Sequence, residues 1–346
     1  MNILKKSKTF SGPRGPVVLL ILDGVGIGCG DDGDLVATSP TPNLDALSQS
    51  SIASRLLAHG TAVGMPSDED MGNSEVGHNA IGCGRVFSQG ASLVNHAIAS
   101  RALFEGQTWN RLVDRVLQRK STLHFIGLFS DGNVHSHLDH LEAMLREAKA
   151  RGVATARIHV LLDGRDVPPT SALEYVDRFE SVLAEIDADG QTDYAIASGG
   201  GRMKVTMDRY EADWRIVELG WKTHVRGEGA RFPNARQAIE TLRAQSPGVV
   251  DQDLPSFVIE RTDGPVGPIR DGDSVILFNF RGDRAIEISR AFEEEVFDKF
   301  QRGPRPDVEF AGMMQYDGDL AIPKQFLVSP PAIDRTLGEY LARAGV

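Results

Sequence analysis

Five stretches of the chain obey one rule: an apolar, β-branched run stops abruptly at glycine and charged residues. They are VVLLILDGVG (17–26), LHFIGLFSDGNVHSH (123–137), IHVLLDGRD (158–166), YAIASGGGR (194–202) and SVILFNFRGDR (274–284). Continuous apolar runs of this length suit strands buried on both faces, as in a parallel sheet. Between them, LDHLEAMLREAKARG (138–152) and SALEYVDRFESVLAEI (171–186) carry helical patterns. Strands alternating with helices predict an α/β architecture. A helical stretch, SLVNHAIASRALF, leads away from the region ending at Arg85, and a Pro- and charge-rich segment precedes AGMMQYDGDLAIPKQF. These breaks divide the chain into a flexible tail (1–15), a first piece (16–86), a middle domain (87–309) and a C-terminal stub (310–346).

In open α/β sheets ligands bind beyond the carboxyl ends of the strands, and the polar clusters fall there. Asp23 closes the first run and reads equally as a turn aspartate or as a metal-binding carboxylate. Ser74 lies in DMGNSEVGHNAIGCGR (70–85), among small and polar residues where no apolar period would bury it. It reads as a helix N-cap or as a nucleophile, and an N-terminal helix position also favours a phosphate on the same oxygen. No His or Lys stands beside it in a triad motif, and GNSEV is not the G-x-S-x-G elbow. A metal ion is then the natural activator of its hydroxyl.

Charge sharpens the picture. The 346-residue chain has a net charge of −11, which argues against a nucleic-acid surface. Against that background Arg165, Arg202, Arg281 and Arg284 lie at or just beyond strand ends, and Arg209 follows in TMDRY. Guanidinium forks on one face suit a ligand bearing phosphate and carboxylate. Asp166 reads as a turn residue before VPP, or as the group handling a hydroxyl proton of that ligand. ASGGGR lacks the endings of phosphate-loop and dinucleotide motifs and leaves only a close backbone approach to a phosphate.

The other chemistry-bearing residues are weaker signals. Cys29 and Cys83 match no zinc spacing and read as reduced thiols. HSHLDH (135–140) has the H-x-H-x-D-H spacing of a binuclear zinc hydrolase, but downstream only His159 and His224 remain, neither in a suitable motif. His137 and His140 are therefore expected on the first turn of the next helix, in solvent. No run of ~18 apolar residues occurs, so a membrane span is not expected. The expected setting is cytoplasmic.

Taken in order, LDGVG, HGTAVGMPSDEDMGNSEVGHNAIGCGRV, SDGNVHSHLDHL, DGRDVPP, ASGGGRMKVTMDRYEADW and FNFRGDR resemble cofactor-independent (2,3-bisphosphoglycerate-independent) phosphoglycerate mutase. ASGGGRMKVTMDRYEADW and LVSPPAIDRTLGEYL are most similar to its plant and trypanosomatid branch. The resemblance implies an alkaline-phosphatase-like metal domain, incomplete here, interrupted by an inserted α/β transferase domain. It implies that 3-phosphoglycerate and 2-phosphoglycerate are interconverted in glycolysis and gluconeogenesis through a phosphoserine on Ser74. Asp23 and Ser74 would bind one of two divalent ions of manganese type. His135, Arg165, Asp166, Arg202, Arg209, Arg281 and Arg284 match the phosphoglycerate-binding positions. A full-length member would be monomeric.

The family continues past YLARAGV with a substrate lysine and most metal ligands, so this chain by itself is expected to be an inactive fragment. Two alternatives remain beside this reading. One is a non-catalytic phosphoglycerate-binding module; the other is a different alkaline-phosphatase-type phosphomutase or hydrolase.

Overall fold

The computed structural model describes residues 4–50, 52–88, 90–331 and 333–345. Its strands are β1 (Leu123–Leu128), β2 (Thr155–Leu162), β3 (Asp193–Gly201), β4 (Ala230–Phe232), β5 (Phe257–Arg261), β6 (Gly264–Pro265), β7 (Ser274–Leu277) and β8 (Glu309–Gly312). The sheet order is β4-β5-β3-β2-β1-β7-β8, with β6 paired to β5 at one edge. From β3 to β8 every pairing is parallel; the sense reverses only between β3 and β5 and between β5 and β6. An α/β fold with a mainly parallel sheet is what the strand–helix alternation predicts.

Helices cross over between the parallel strands because their apolar positions recur every three or four residues. Helix Leu138–Ala150 buries Leu138, Leu141, Leu145 and Ala148, and helix Ala172–Ile186 buries Val176, Phe179, Leu183 and Ile186. Each stripe lies on one side of its helix. The strands sort their side chains with period two. Leu123, Phe125, Ile158 and Val160 join the core beneath these helices, while Ile126, Leu128 and Leu161 join a second core. Helices Trp214–Gly220 and Ile286–Glu293 cover that second core.

Chain order runs outward from β1 to β3 on one side and resumes at β7 on the other. The sheet therefore changes direction between β1 and β7, the place where an open α/β sheet leaves a crevice at its carboxyl edge.

Two expectations need correction. The run 17–26 is not a strand. Among the described residues it pairs with no strand, and Val17, Val18 and Leu20 are 80%, 72% and 80% exposed. Its pattern is right for a central strand, but such a strand is held by ladder partners on both edges. The ASGGG run is not a ligand loop either: it is the buried end of β3. A side chain on Gly201 would collide with the Gln252 carbonyl, and one on Gly199 with Val160 and Phe257. The glycines admit the chain's own backbone, not a phosphate.

β8 straddles the division expected at 309–310. Among the described residues, no helix is long and apolar enough to cross a membrane.

Candidate active site

Helix Ser74–Cys83 begins at Asn73, whose side chain accepts the Val76 N–H at 3.2 Å. Ser74 is thus the first helical residue and not the cap. Its hydroxyl lies at the start of the first turn, where the positive end of the helix dipole favours an anion. The Ser74 hydroxyl donates to Asp23 Oδ2 at 2.8 Å, across 51 residues of chain. His78, one turn along the helix, was not anticipated; its Nδ1 stands 3.2 Å from Ser74 Oγ. The same nitrogen lies 2.8 Å from the Ser74 carbonyl, so its hydrogen points there and the ring is not an acceptor for the hydroxyl. The i+4 helical spacing is the sequence signal that would have found it.

The expected anion residues converge from four strand ends. His135 follows β1, Arg165 and Asp166 follow β2, Arg202 follows β3, and Arg281 and Arg284 follow β7. Together with Arg209 and Ser74 they line one cleft of about 290 Å³. The Phe280 N–H donates to the His135 carbonyl at 2.7 Å, tying the loop after β1 to the loop after β7. Among the described residues Asp23 meets this group through Ser74.

Sequence reading passed over two carboxylates that hold the arginines. Asp163 is buried, and its Oδ1 accepts Arg202 Nη1 at 2.9 Å and the N–H groups of Arg165 and Asp166 at 3.1 Å. Its Oδ2 accepts Ser130 Oγ–H at 2.6 Å. Arg202, only 1% exposed, also pairs with Asp166. Asp283 lies 3.0 Å from Arg281 Nη2, 3.7 Å from Arg209 Nη1 and 3.7 Å from His135 Nδ1. An aspartate in a turn is ordinary, and nothing in DGRD or RGDR marks the partner.

The lining carries Arg165, Arg202, Arg209, Arg281 and Arg284 against Asp166 and Asp283, an excess of positive charge within an acidic chain. The side chains register the crowding. Burial, then Arg202 and Arg209, lower the Arg284 pKa. Burial and the surrounding arginines hold the His135 pKa well below the ordinary histidine value, so its ring is neutral. Arg202 Nε, Arg281 Nε and His135 Nδ1 are buried without a hydrogen-bond partner among the described residues. Such groups are costly unless an acceptor meets them.

The HSHLDH segment is not a metal cluster. His137 caps helix Leu138–Ala150, accepting the Asp139 N–H at 3.1 Å. His140 is not in solvent as expected: it is buried, 2.6 Å from Asn95 Oδ1, with its pKa lowered to about 3 by burial and then by His137. Its place on the inner face of the helix puts it against the core.

Asp23 Oδ2 and Ser74 Oγ form a hard oxygen pair suited to a divalent cation. Among the described residues no group of three or more His, Cys, Asp or Glu is placed to hold a metal. These residues therefore fit part of one metal site and do not assemble the two-ion centre that the resemblance implies.

Known proteins share this architecture. Residues 94–318 match the family described as BPG-independent PGAM N-terminus. The chain is 55% identical over 345 residues to a probable 2,3-bisphosphoglycerate-independent phosphoglycerate mutase of Leptospira interrogans, covering 99% of this chain and 63% of that one. It is 53% identical over 335 residues to the 2,3-bisphosphoglycerate-independent phosphoglycerate mutase of Trypanosoma brucei brucei, covering 96% and 61%. A crystal structure of Leishmania mexicana phosphoglycerate mutase at low cobalt concentration superposes with a TM-score of 0.91 at 50% identity, over 94% of this chain and 60% of that one. The chain thus spans under two thirds of the length of these relatives. With the family match running through every parallel strand and every arginine of the cleft, this chain belongs to the 2,3-bisphosphoglycerate-independent phosphoglycerate mutases.

Proposed function

We propose that the cleft binds 3-phosphoglycerate and 2-phosphoglycerate and passes the phosphoryl group between them through Ser74. One observation carries this reading: Ser74 and the arginines 165, 202, 209, 281 and 284 line the same cleft. The relatives' names supply the substrate pair.

In this reading Arg281, Arg284 and Arg202 hold the phosphate and carboxylate through charge-assisted hydrogen bonds. Ser74 Oγ attacks phosphorus; the bond from phosphorus to one glycerate oxygen breaks as the Oγ–P bond forms. The Ser74 proton passes to Asp23 as the Oγ–P bond forms, and the released glycerate oxygen gains one from solvent, relayed by the Asp166 carboxylate beside it; the reverse steps return both protons. Reorientation of the held glycerate presents its other hydroxyl, and the steps reverse. Arginine contacts keep the glycerate from leaving, which favours its return over loss of the group to water. A divalent ion, manganese by the resemblance, when bound at Asp23 and Ser74 lowers the hydroxyl pKa and neutralises phosphoryl charge.

The middle unit proposed to carry the substrate residues extends to Gly312, since β8 pairs along its length with β7. The segment holding Asp23 and Ser74 is proposed as part of the metal domain, and a monomer in the cytoplasm as the working form.

The test is a calorimetric titration of residues 1–346 with 3-phosphoglycerate, alongside conversion to 2-phosphoglycerate with manganese and no 2,3-bisphosphoglycerate. Binding is expected from the chain itself. Turnover is expected once a polypeptide matching the remaining length of a relative is added, and not with Ser74→Ala. Binding without turnover in every combination would favour a non-catalytic binding module; absence of binding would end the reading.

A further inference from the structure

The second core contains an unbroken file of polar side chains that the proposed chemistry does not use. Asp273 Oδ2 stands 3.1 Å from His124 Nε2, and His124 Nδ1 is 3.0 Å from His159 Nε2. His159 Nδ1 is 2.7 Å from Ser198 Oγ, Ser198 Oγ 2.7 Å from His224 Nδ1, and His224 Nε2 3.0 Å from Thr206 Oγ1. All six residues are buried. The file crosses the sheet from β7 through β1, β2 and β3 to the turn that carries Arg209.

Only one direction satisfies every atom. Asp273 accepts the N–H groups of Thr122 at 2.9 Å and Arg270 at 2.8 Å, as a carboxylate does. It therefore takes the Nε2–H of His124, which leaves His124 Nδ1 as an acceptor for His159 Nε2–H. His159 Nδ1 then accepts from Ser198, Ser198 accepts from His224 Nδ1–H, and His224 Nε2 accepts from the Thr206 hydroxyl. Each ring is neutral, with one nitrogen donating and the other accepting. Burial lowers the pKa of all three histidines, and Arg157 beside His124 and His159 adds to it. For His124, Asp273 pulls the other way without reversing the outcome.

Two irregularities in the fold deliver members of this file. The pairing of β2 with β3 shifts by one residue after Ile158, so that His159 faces Ser198. His224 lies in a π-helical turn, Trp221–Val225. Bulges and π-turns of this kind re-aim side chains and cluster beside functional sites. At the far end Thr206 has φ of 71°, in the left-handed region that a β-branched residue rarely enters. Gly220 leaves the room: a side chain there would collide with Thr206 Oγ1. The next residue, Met207, accepts Arg284 Nη1–H on its carbonyl at 2.7 Å, and Arg209 follows two positions later.

We propose that Asp273 sets the direction of this buried hydrogen-bond file and that its far end fixes the 206–209 turn, making Thr206 a positioning residue for Arg209 and Arg284. The effect on ligand rests on the phosphoglycerate reading above; the order of the file does not.

Two-bond ¹H–¹⁵N spectra of the chain labelled at histidine test the order directly. His124 and His159 should appear as Nε2–H and His224 as Nδ1–H, each with a midpoint below that of free imidazole. Another tautomer at any of the three, or a midpoint near the free value, overturns the proposal. Thr206→Val removes only the donor, whereas Thr206→Ser keeps it. Valine should speed amide exchange at 207–209 and weaken 3-phosphoglycerate binding about five- to tenfold. Serine should stay within about twofold on both readouts. Valine should add little to Arg209→Ala, because coupled residues are not additive. Equal behaviour of valine and serine, or full additivity with Arg209→Ala, refutes the positioning role. If the unaltered chain binds no 3-phosphoglycerate, the function reading fails, while the spectra and exchange still decide the file.

Discussion

Removing the Asp163 carboxylate puts the architecture of the cleft under direct strain. Its pair with Arg202 is among the most deeply buried in the chain, with side chains 2% and 1% exposed and a separation of 2.9 Å. Asp163→Ala leaves Arg202 with Asp166 alone and deprives the N–H groups of Arg165 and Asp166 of their acceptor. Breaking a buried pair by deleting one partner costs about 3–5 kcal/mol. Asp163→Asn keeps the shape and an acceptor oxygen but loses the charge. A charge-assisted bond of about 1.5–3 kcal/mol becomes a neutral one of about 0.5–1.5, so the expected loss is about 1–2 kcal/mol. Urea unfolding followed by circular dichroism measures both, with the ordering wild type, asparagine, alanine. Since total stability is of order 5–15 kcal/mol, the alanine change should be plain in the midpoint. If alanine loses less than about 1 kcal/mol, or asparagine is the worse of the two, Asp163 does not anchor Arg202 as argued.

Arg281→Ala should weaken 3-phosphoglycerate binding by roughly 1.5–3 kcal/mol in calorimetry, and unchanged affinity would remove Arg281 from the ligand's contacts. His124, His135, His140, His159 and His224 all have pKa values lowered by burial. The unfolded chain therefore binds protons below about pH 6.5 that the folded chain refuses, and stability falls as pH drops toward the folded value of about 3 for His140. Each such histidine adds up to about 1.4 kcal/mol per pH unit, so His140→Gln should flatten the acid limb of a stability–pH curve. Gly201→Ala should lower the melting temperature, the overpacking against Gln252 costing about 1–3 kcal/mol, and an unchanged melt would contradict the close approach.

Strands β1, β2, β3 and β7 and the two crossover helices were legible because their burial follows from local pattern alone. The 17–26 run carried the same pattern, yet burial of a strand depends on neighbours that no local window contains. β4, β5 and β6 are two to five residues long, and the antiparallel insertion of β5 beside β3 leaves no periodic trace. Arginine convergence was readable since strand ends share one edge of a parallel sheet. The carboxylates that hold those arginines were not, because Asp163 and Asp283 look like any turn aspartate. The polar neighbours of His140 argue for solvent, although Met144 and Ala148, four and eight residues on, share its row of the helix and already turn it inward.

The junction of β1 with β7 also governs when the site can exist. Leu128 N–H donates to Asn279 Oδ1 across 151 residues, and Thr122 N–H to Asp273 Oδ1 across the same separation. Contacts so distant in sequence close late, because the loop between them must be ordered first. During synthesis the loop after β1 and the ends of β2 and β3 all emerge before Arg281, so the crossover units can form while the cleft lacks its last wall. On the proposed reading, recognition of the anion then requires the completed sheet. A chain halted anywhere before residue 284 would fold much of its helix and strand, yet ligand could not protect it from a protease; protection by 3-phosphoglycerate would time the closing of the sheet.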